Sequence, residues 1–221
     1  MSWPKLLILV RHAESVGNVT AVPAKLNLSA HQYPLTKKGI EQAKITGEYL
    51  RKNLKKFDVS FTSYYQRAIQ TMELLYPQAQ FTKDARLAEQ QRGIWHTMTE
   101  KEIKKSYPQE IKRKQLEGLY HHRAWGGENW PDVELRIRSF LDDLKKFYHN
   151  KKVLLVVHGR WLVIFQSLIT PLSIEEAIFK SRLEEAAFAN SSITIYEEKT
   201  SNKKSNLVLV EENIIPWQGK L

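Results

Sequence analysis

Two short runs of apolar, mostly branched residues constrain the fold of this chain more than anything else in it: Leu6–Val10 and Val153–Val157. An unbroken run of that length reads as a strand covered on both faces, as in a parallel sheet flanked by helices. Both runs stop at a histidine, the first in Arg11-His12-Ala13 and the second in His158-Gly159. Parallel strands deliver their C-terminal ends to one edge, where open α/β sheets bind ligands. The two imidazoles are therefore expected to converge in one crevice.

The intervening sequence keeps an α/β rhythm. Gly17–Tyr33 is polar and reads as a loop leaving the crevice. Thr36 is placed to cap a helix with Ile40, Ala43, Gly47, Leu50 and Leu54 on one face. Phe57–Thr62 reads as a second strand ending at Ser63. A helix over about Tyr65–Leu75 follows, with Ala68, Met72 and Leu75 inward, then a short third strand at Gln80–Phe81. From about residue 85 to 130 the rhythm breaks into a stretch rich in Gln, Lys, Glu, Trp and His, with Pro108 and Gly126-Gly127. This stretch reads as an insertion covering the strand ends. Pro131 opens a long helix with Val133, Ile137, Phe140, Leu141, Leu144 and Phe147 as its apolar stripe. Trp161–Ile169 is apolar nearly all round, and Ser192–Tyr196 and Leu207–Glu211 finish the sheet around a polar turn at Lys199–Asn206. The expected fold class is α/β: a three-layer αβα arrangement with a mostly parallel central sheet and a helical lid insertion, in a single domain over residues 1–221.

Composition narrows the function. The chain has 221 residues and a formal net charge of +10, but its Lys and Arg are interleaved with Asp and Glu and form no basic arm. The charge therefore suits an anionic small substrate or plain solvation, and no nucleic-acid partner is expected. The absence of Cys excludes disulfides, thiolate metal sites and thiol nucleophiles. No apolar run approaches the roughly 18 residues of a membrane helix, and the chain enters its first strand within a few residues. A cytoplasmic protein with no membrane attachment is expected. The sequence does not reveal its oligomeric state.

Arg67, on the first turn after the Ser63 strand end, is aimed at the same edge as the two histidines. Two His and two Arg around one crevice suit a phosphoryl group. Guanidinium offers paired donors to its oxygens, and a neutral imidazole can attack phosphorus. Flanking guanidiniums favour the neutral form of His12. Arg11, Arg67 and a protonated His158 then suit the charge on the group in transfer. Gly159 opens a helix whose N-terminal amides are expected to add anion donors.

Read in order, LVRHAESVGN, PLTKKGIEQA, TSYYQRAIQT, LAEQQRGIW, GGENWPDVELRI and VVHG resemble the successive motifs of the histidine phosphatase superfamily, the phosphoglycerate-mutase-like proteins. The resemblance covers nearly the whole chain. It implies that His12 is the nucleophile, forming a phosphohistidine. It implies that Arg11, Arg67 and His158 bind the phosphoryl group, with Asn18 as an accessory contact. Glu89, in the pattern Glu89…Gly93, is implied as general acid and then base. No metal or other cofactor is implied, and the expected partner is a small phosphorylated substrate.

The sequence departs from the family pattern at several points. Ala13 stands where Gly is commoner, and His96-Thr97 stands where Glu-Gly usually follows the Trp. The longer Tyr- and Lys-containing stretch that mutases use to hold bisphosphoglycerate is not found. Metal-independent phosphomonoester hydrolysis is therefore the expected activity. The alternatives are a phosphoglycerate mutase using a bisphosphoglycerate cofactor and, in another class, a non-catalytic phospho-ligand binding protein. Glu100 and Glu128 lie in the same insertion as Glu89. His31, His96, His121 and His122 read as surface or lid residues, and His121-His122-Arg123 as a candidate substrate contact. The sequence does not name the substrate.

Overall fold

A computed structural model describes residues 2–20, 28–54, 56–183, 187–201 and 204–221. Its sheet has six strands: β1 (Leu6–Arg11), β2 (Val59–Thr62), β3 (Thr82–Lys83), β4 (Lys152–Val157), β5 (Ile193–Ser201) and β6 (Lys204–Ile214). They lie in the order β3-β2-β4-β1-β5-β6. The first four in that order run parallel, whereas β5 and β6 are antiparallel to their neighbours.

The two apolar runs pair directly, from Leu6 opposite Lys152 to Arg11 opposite Val157. Side chains alternate across a strand, so each run supplies two cores at once. Leu7, Leu9, Val153, Leu155 and Val157 join one cluster with Trp130, Val133, Ile137, Phe140 and Leu144 of α7 (Trp130–Phe147) and with Trp161 and Phe165 of α8 (Gly159–Ile169). Ile8, Val10, Leu154 and Val156 join the other, with Leu50 of α2 (Lys37–Asn53) and Ala68, Met72 and Leu75 of α3 (Gln66–Leu75). Helices therefore cover both faces, giving the three-layer αβα fold. Leu7, Ile8 and Val10 are fully buried, each worth about 1.5–3 kcal/mol.

Local details differ from the sequence reading where hydrophobicity is a poor guide. The third strand is Thr82–Lys83 rather than Gln80–Phe81, because Thr82 and Lys83 pair with Phe61 and Thr62 while Phe81 packs under the β1–α3 core. Strands β5 and β6 run well beyond the apolar cores of their sequences, through Lys199 opposite Asn206. An exposed hairpin needs only backbone pairing to continue, so polar residues extend it; residues 202–203 of the expected turn lie outside the described ones. Thr36 caps α2 as expected, its Oγ1 accepting from Gly39 N at 3.0 Å. Ile40 sits at the margin of that helix's buried face, 36% exposed. The expected loop at Gly17–Tyr33 contains a one-turn helix α1 (Val16–Val19) and a 3-10 turn at Ala30–Gln32; its residues 21–27 lie outside the described ones.

The insertion holds α4 (Ile94–Thr97), α5 (Glu100–Ser106) and α6 (Pro108–His121). Gly118, at φ 69°, breaks α6 near its end, a conformation that glycine adopts without strain. Helix α9 (Ile174–Arg182) follows α8. No helix among the described residues is long and apolar enough to cross a membrane.

Candidate active site

The strand ends converge as the sequence predicts. Arg11 is the last ladder residue of β1, and His12 follows it, its N–H donating to Val157 O at 2.9 Å. His158 caps α8 at the end of β4. The His12 and His158 rings lie 5.1 Å apart between centroids. Arg67, in the first turn of α3, reaches both: its Nε donates to His12 Nε2 at 3.1 Å and its Nη2 to His158 Nδ1 at 3.2 Å. Its third edge donates to Ala30 O at 2.8 Å.

These contacts assign protons. His12 Nδ1–H donates to Ala13 O at 2.8 Å, so Nε2, which accepts from Arg67, carries the lone pair. His158 accepts at Nδ1 and donates from Nε2 to Ser63 Oγ at 2.7 Å. Burial, then the neighbouring Arg67 and Arg11 charges, hold His12 well below the usual histidine value. Burial and then Arg67 do the same to His158. Both lowered values favour the neutral ring in the free site, where His158 Nδ1 is occupied as an acceptor from Arg67. Burial lowers Arg67 itself to about 10, still cationic at neutral pH.

Glu89 lines the same cavity of about 910 Å³ as Arg11, His12, Asn18 and Arg67. Its carboxylate accepts from Gln90 N at 2.9 Å, Trp161 N at 3.2 Å and Arg160 N at 3.3 Å. The Arg160 and Trp161 amides of α8 thus face Glu89. A carboxylate at a helix N-terminus satisfies orphan donors and meets the positive end of the dipole, so this geometry fixes where Glu89 sits. Glu128, a rival in sequence, is spent on structure: it accepts from Arg136 Nε at 2.9 Å and from Gln91 N at 2.9 Å. Glu100 is exposed at an adjoining outer cavity. Gly159 lines that cavity too and lies beside Arg11: a Cβ there would stand 3.4 Å from Arg11 Nε, in ordinary contact. Arg11 donates to Phe188 O from behind. Asn18 turns its Oδ1 back to Ser15 N at 2.9 Å and Ser15 Oγ at 2.8 Å, presenting the amide end as its donor.

Three contributors escaped the sequence reading. Ser63 was seen only as a strand end, yet it holds His158. Tyr65 stacks its ring 4.6 Å from the Arg67 guanidinium and edge-on to His158 at 4.9 Å. Gln91 Nε2 donates to the Tyr65 hydroxyl, tying the insertion to α3. The position of Tyr65, two residues before Arg67, was the available signal. Among the candidate lid contacts, His31 and His96 line the cavity, and the Tyr33 hydroxyl lies 2.8 Å from His96 Nε2. His121 lies outside the cavity, Arg123 pairs with Asp132, and His122 Nε2 sits 3.0 Å from the buried Glu110.

The chain as a whole is similar to known proteins. The pattern of the histidine phosphatase superfamily (branch 1) covers residues 7–208. The chain is 30% identical over 154 residues to phosphoserine phosphatase 1 of Hydrogenobacter thermophilus, covering 69% of this chain and 70% of that protein. It is 30% identical over 171 residues to a phosphoglycerate mutase of Schizosaccharomyces pombe, covering 72% and 76%. The alpha-ribazole phosphatase of Shigella flexneri shares its fold at a TM-score of 0.73 and 22% identity, over 95% of this chain and 98% of that one. The chain belongs to the histidine phosphatase superfamily, branch 1.

Proposed function

We propose that this protein hydrolyses small phosphomonoesters in two steps through a phosphohistidine on His12, within a single domain whose insertion at about 85–130 forms the lid. The observation that carries this is His12 Nε2 placed 3.1 Å from the Arg67 Nε donor, beside the His158 ring at the strand edge. In the first step Nε2 forms a bond to phosphorus as the bond to the ester oxygen breaks. Glu89, protonated at the start of the cycle, gives that oxygen its proton and is left as the carboxylate. In the second, Glu89 takes a proton from water, whose oxygen attacks phosphorus and frees His12 and inorganic phosphate. Arg11, Arg67 and the Asn18 amide bind the phosphoryl oxygens. The two guanidinium charges are worth more at these buried positions than they would be in water. As the dianion arrives, Arg67 exchanges its imidazole contacts for phosphoryl oxygens, and the added negative charge favours a proton on His158.

The phosphoserine phosphatase and alpha-ribazole phosphatase relatives support hydrolysis of a small substrate. The equally similar mutase of Schizosaccharomyces pombe keeps phosphoryl exchange with a bisphosphoglycerate cofactor as the second reading. Phosphate release from a panel of phosphorylated sugars, acids, nucleotides and amino acids, without added metal, separates the two. Hydrolysis without bisphosphoglycerate supports the first reading, and exchange that requires it supports the second. In either case His12→Ala should lower turnover by about 10,000-fold or more, as removal of a covalent nucleophile does, and abolish acid-labile phosphate on the protein. A His12→Ala variant with near-native turnover would exclude both and point to another nucleophile, whereas no turnover by the wild-type protein would leave the non-catalytic class.

A further inference from the structure

Residue His12 lies past the end of the regular ladder. The pairing of β1 with β5 stops at Val10 opposite Ile193, and that with β4 at Arg11 opposite Val157. Its N–H still donates to Val157 O at 2.9 Å, which leaves its carbonyl side for another element to fix. The segment just before β5 does so from behind. Asn190 Nδ2 donates to His12 O at 3.0 Å, and Ser191 N donates to both Arg11 O at 3.1 Å and His12 O at 3.2 Å. Ser192 O accepts from Arg11 N at 3.1 Å, and Phe188 O accepts from the Arg11 guanidinium. Both functional side chains thus hang from one short run of backbone that this segment grips.

The gripping turn is itself held in an uncommon shape. Ser191 is fully buried and has φ 56°, left-handed backbone that residues other than glycine rarely adopt. It persists because its surroundings over-determine it. Thr46 Oγ1, on α2, donates to Ser191 O at 2.9 Å. Trp217 Nε1, beyond β6, donates to Asn190 O at 2.8 Å. Asn213 Oδ1 accepts from Ala189 N at 2.7 Å. Helix α2 and the segment after β6 are both remote in sequence from His12, yet both reach it through this turn.

We infer that Asn190 and Ser191, clamped by Thr46 and Trp217, are positioning residues that aim the His12 imidazole at phosphorus; the inference rests on His12 being the nucleophile. Asn190 holds only His12 O and supplies no donor to the phosphoryl group, so its loss changes the rate of attack rather than the strength with which that group is held, whereas Ser191, which also holds Arg11 O, bears on both. A misplacement of about 1 Å is enough to cost on the order of 100-fold in rate.

The test is single-turnover formation of acid-labile phosphoenzyme from p-nitrophenyl phosphate, with competitive inhibition by inorganic phosphate and the melting temperature measured alongside. Asn190→Ala should slow phosphorylation by about 10- to 100-fold while phosphate inhibition moves by less than about two-fold. Ser191→Val should lose still more, and Ser191→Gly, which accepts the left-handed backbone, should recover most of it. Trp217→Phe keeps the ring and loses only the N–H donor, so it serves if Asn190→Ala does not fold. It should slow phosphorylation by about three- to ten-fold. Variants that melt earlier yet phosphorylate at the native rate would overturn the inference, because the segment would then be merely structural. Wild-type protein that carries no acid-labile phosphate, or a His12→Ala variant that still does, would overturn the nucleophile reading and the inference with it.

Discussion

The strand-edge crevice and the inserted segment above it are built on different principles. In the crevice, Arg11, His12, Arg67 and His158 are 8%, 3%, 7% and 0% exposed, and each is tied at two or more points to strand ends or helix starts. In residues 94–126, Ile103 and Ala124 are the only apolar residues that are buried, while Leu116 stands 87% exposed. What holds that segment is polar: Glu110, fully buried, meets Trp95 Nε1 at 3.2 Å, Arg113 Nη1 at 3.1 Å and His122 Nε2 at 3.0 Å. Local stability follows buried apolar contact. The proposed chemistry thus rests on a part of the molecule packed between apolar cores, and the cavity wall at Ile94, His96 and Trp125 on a part with little buried apolar contact. Such a division lets one phosphoryl site serve many leaving groups, because the wall can change without moving the strand ends.

The sharpest way to break that comparison is at Arg67, which joins His12 to His158. Arg67→Lys keeps a positive charge but loses the planar fork that contacts both rings. It should lower kcat/KM by about 100- to 1,000-fold, the scale of losing a principal electrostatic donor, for every substrate alike. A loss confined to some leaving groups would mean that Arg67 belongs functionally to the wall.

Acid sharpens the same contrast. His12 and His158 are held below the ordinary value of 6.5, mainly by burial and then by Arg67. Below about pH 6.5 the unfolded chain therefore binds more protons than the folded one, and stability falls as pH drops through that window toward the lowered folded values. The melting temperature should decline between about pH 7 and 5, and His158→Asn should flatten the slope. For the same reason the acid limb of kcat/KM should lie below 6.5. An unchanged slope in His158→Asn would show that the acid sensitivity arises elsewhere.

How much of this was legible in the sequence follows the same division. Leu6–Val10 and Val153–Val157 announced central strands because doubly buried strands leave no other pattern. Their terminal histidines, with Arg67 one helical turn past a third strand end, placed the crevice. Thr82–Lys83 escaped because a two-residue edge strand carries no periodicity. The contact of Arg67 Nη2 with His158 Nδ1 escaped because it depends on where the guanidinium lands, a three-dimensional fact. Asn190 and Ser191 were invisible as anything but a polar approach to β5: nothing local marks a serine as left-handed. The partners that force it, Thr46 and Trp217, stand 145 and 27 positions from the oxygens they hold. In the insertion, the sequence marked an irregular segment but not the Glu110 centre that organises it. A buried carboxylate reads as a solvated one until its partners are in place.

That centre gives the mildest test of the comparison. Glu110→Gln keeps the shape and removes the charge that Arg113 and His122 face, which should weaken the segment by about 1–3 kcal/mol. Because the segment is tied to α3 mainly through Gln91 and Tyr65, the loss should stay local. Amides of α6 should exchange with solvent about five- to 100-fold faster, while single-turnover phosphorylation by p-nitrophenyl phosphate remains within about two-fold of wild type. Selectivity among bulkier leaving groups should relax instead, since the wall they touch would be open more of the time. If phosphorylation by the small substrate fell as far as it does in Arg67→Lys, the wall and the crevice would be one mechanical unit. The division between a fixed chemical edge and an adaptable wall would then be wrong.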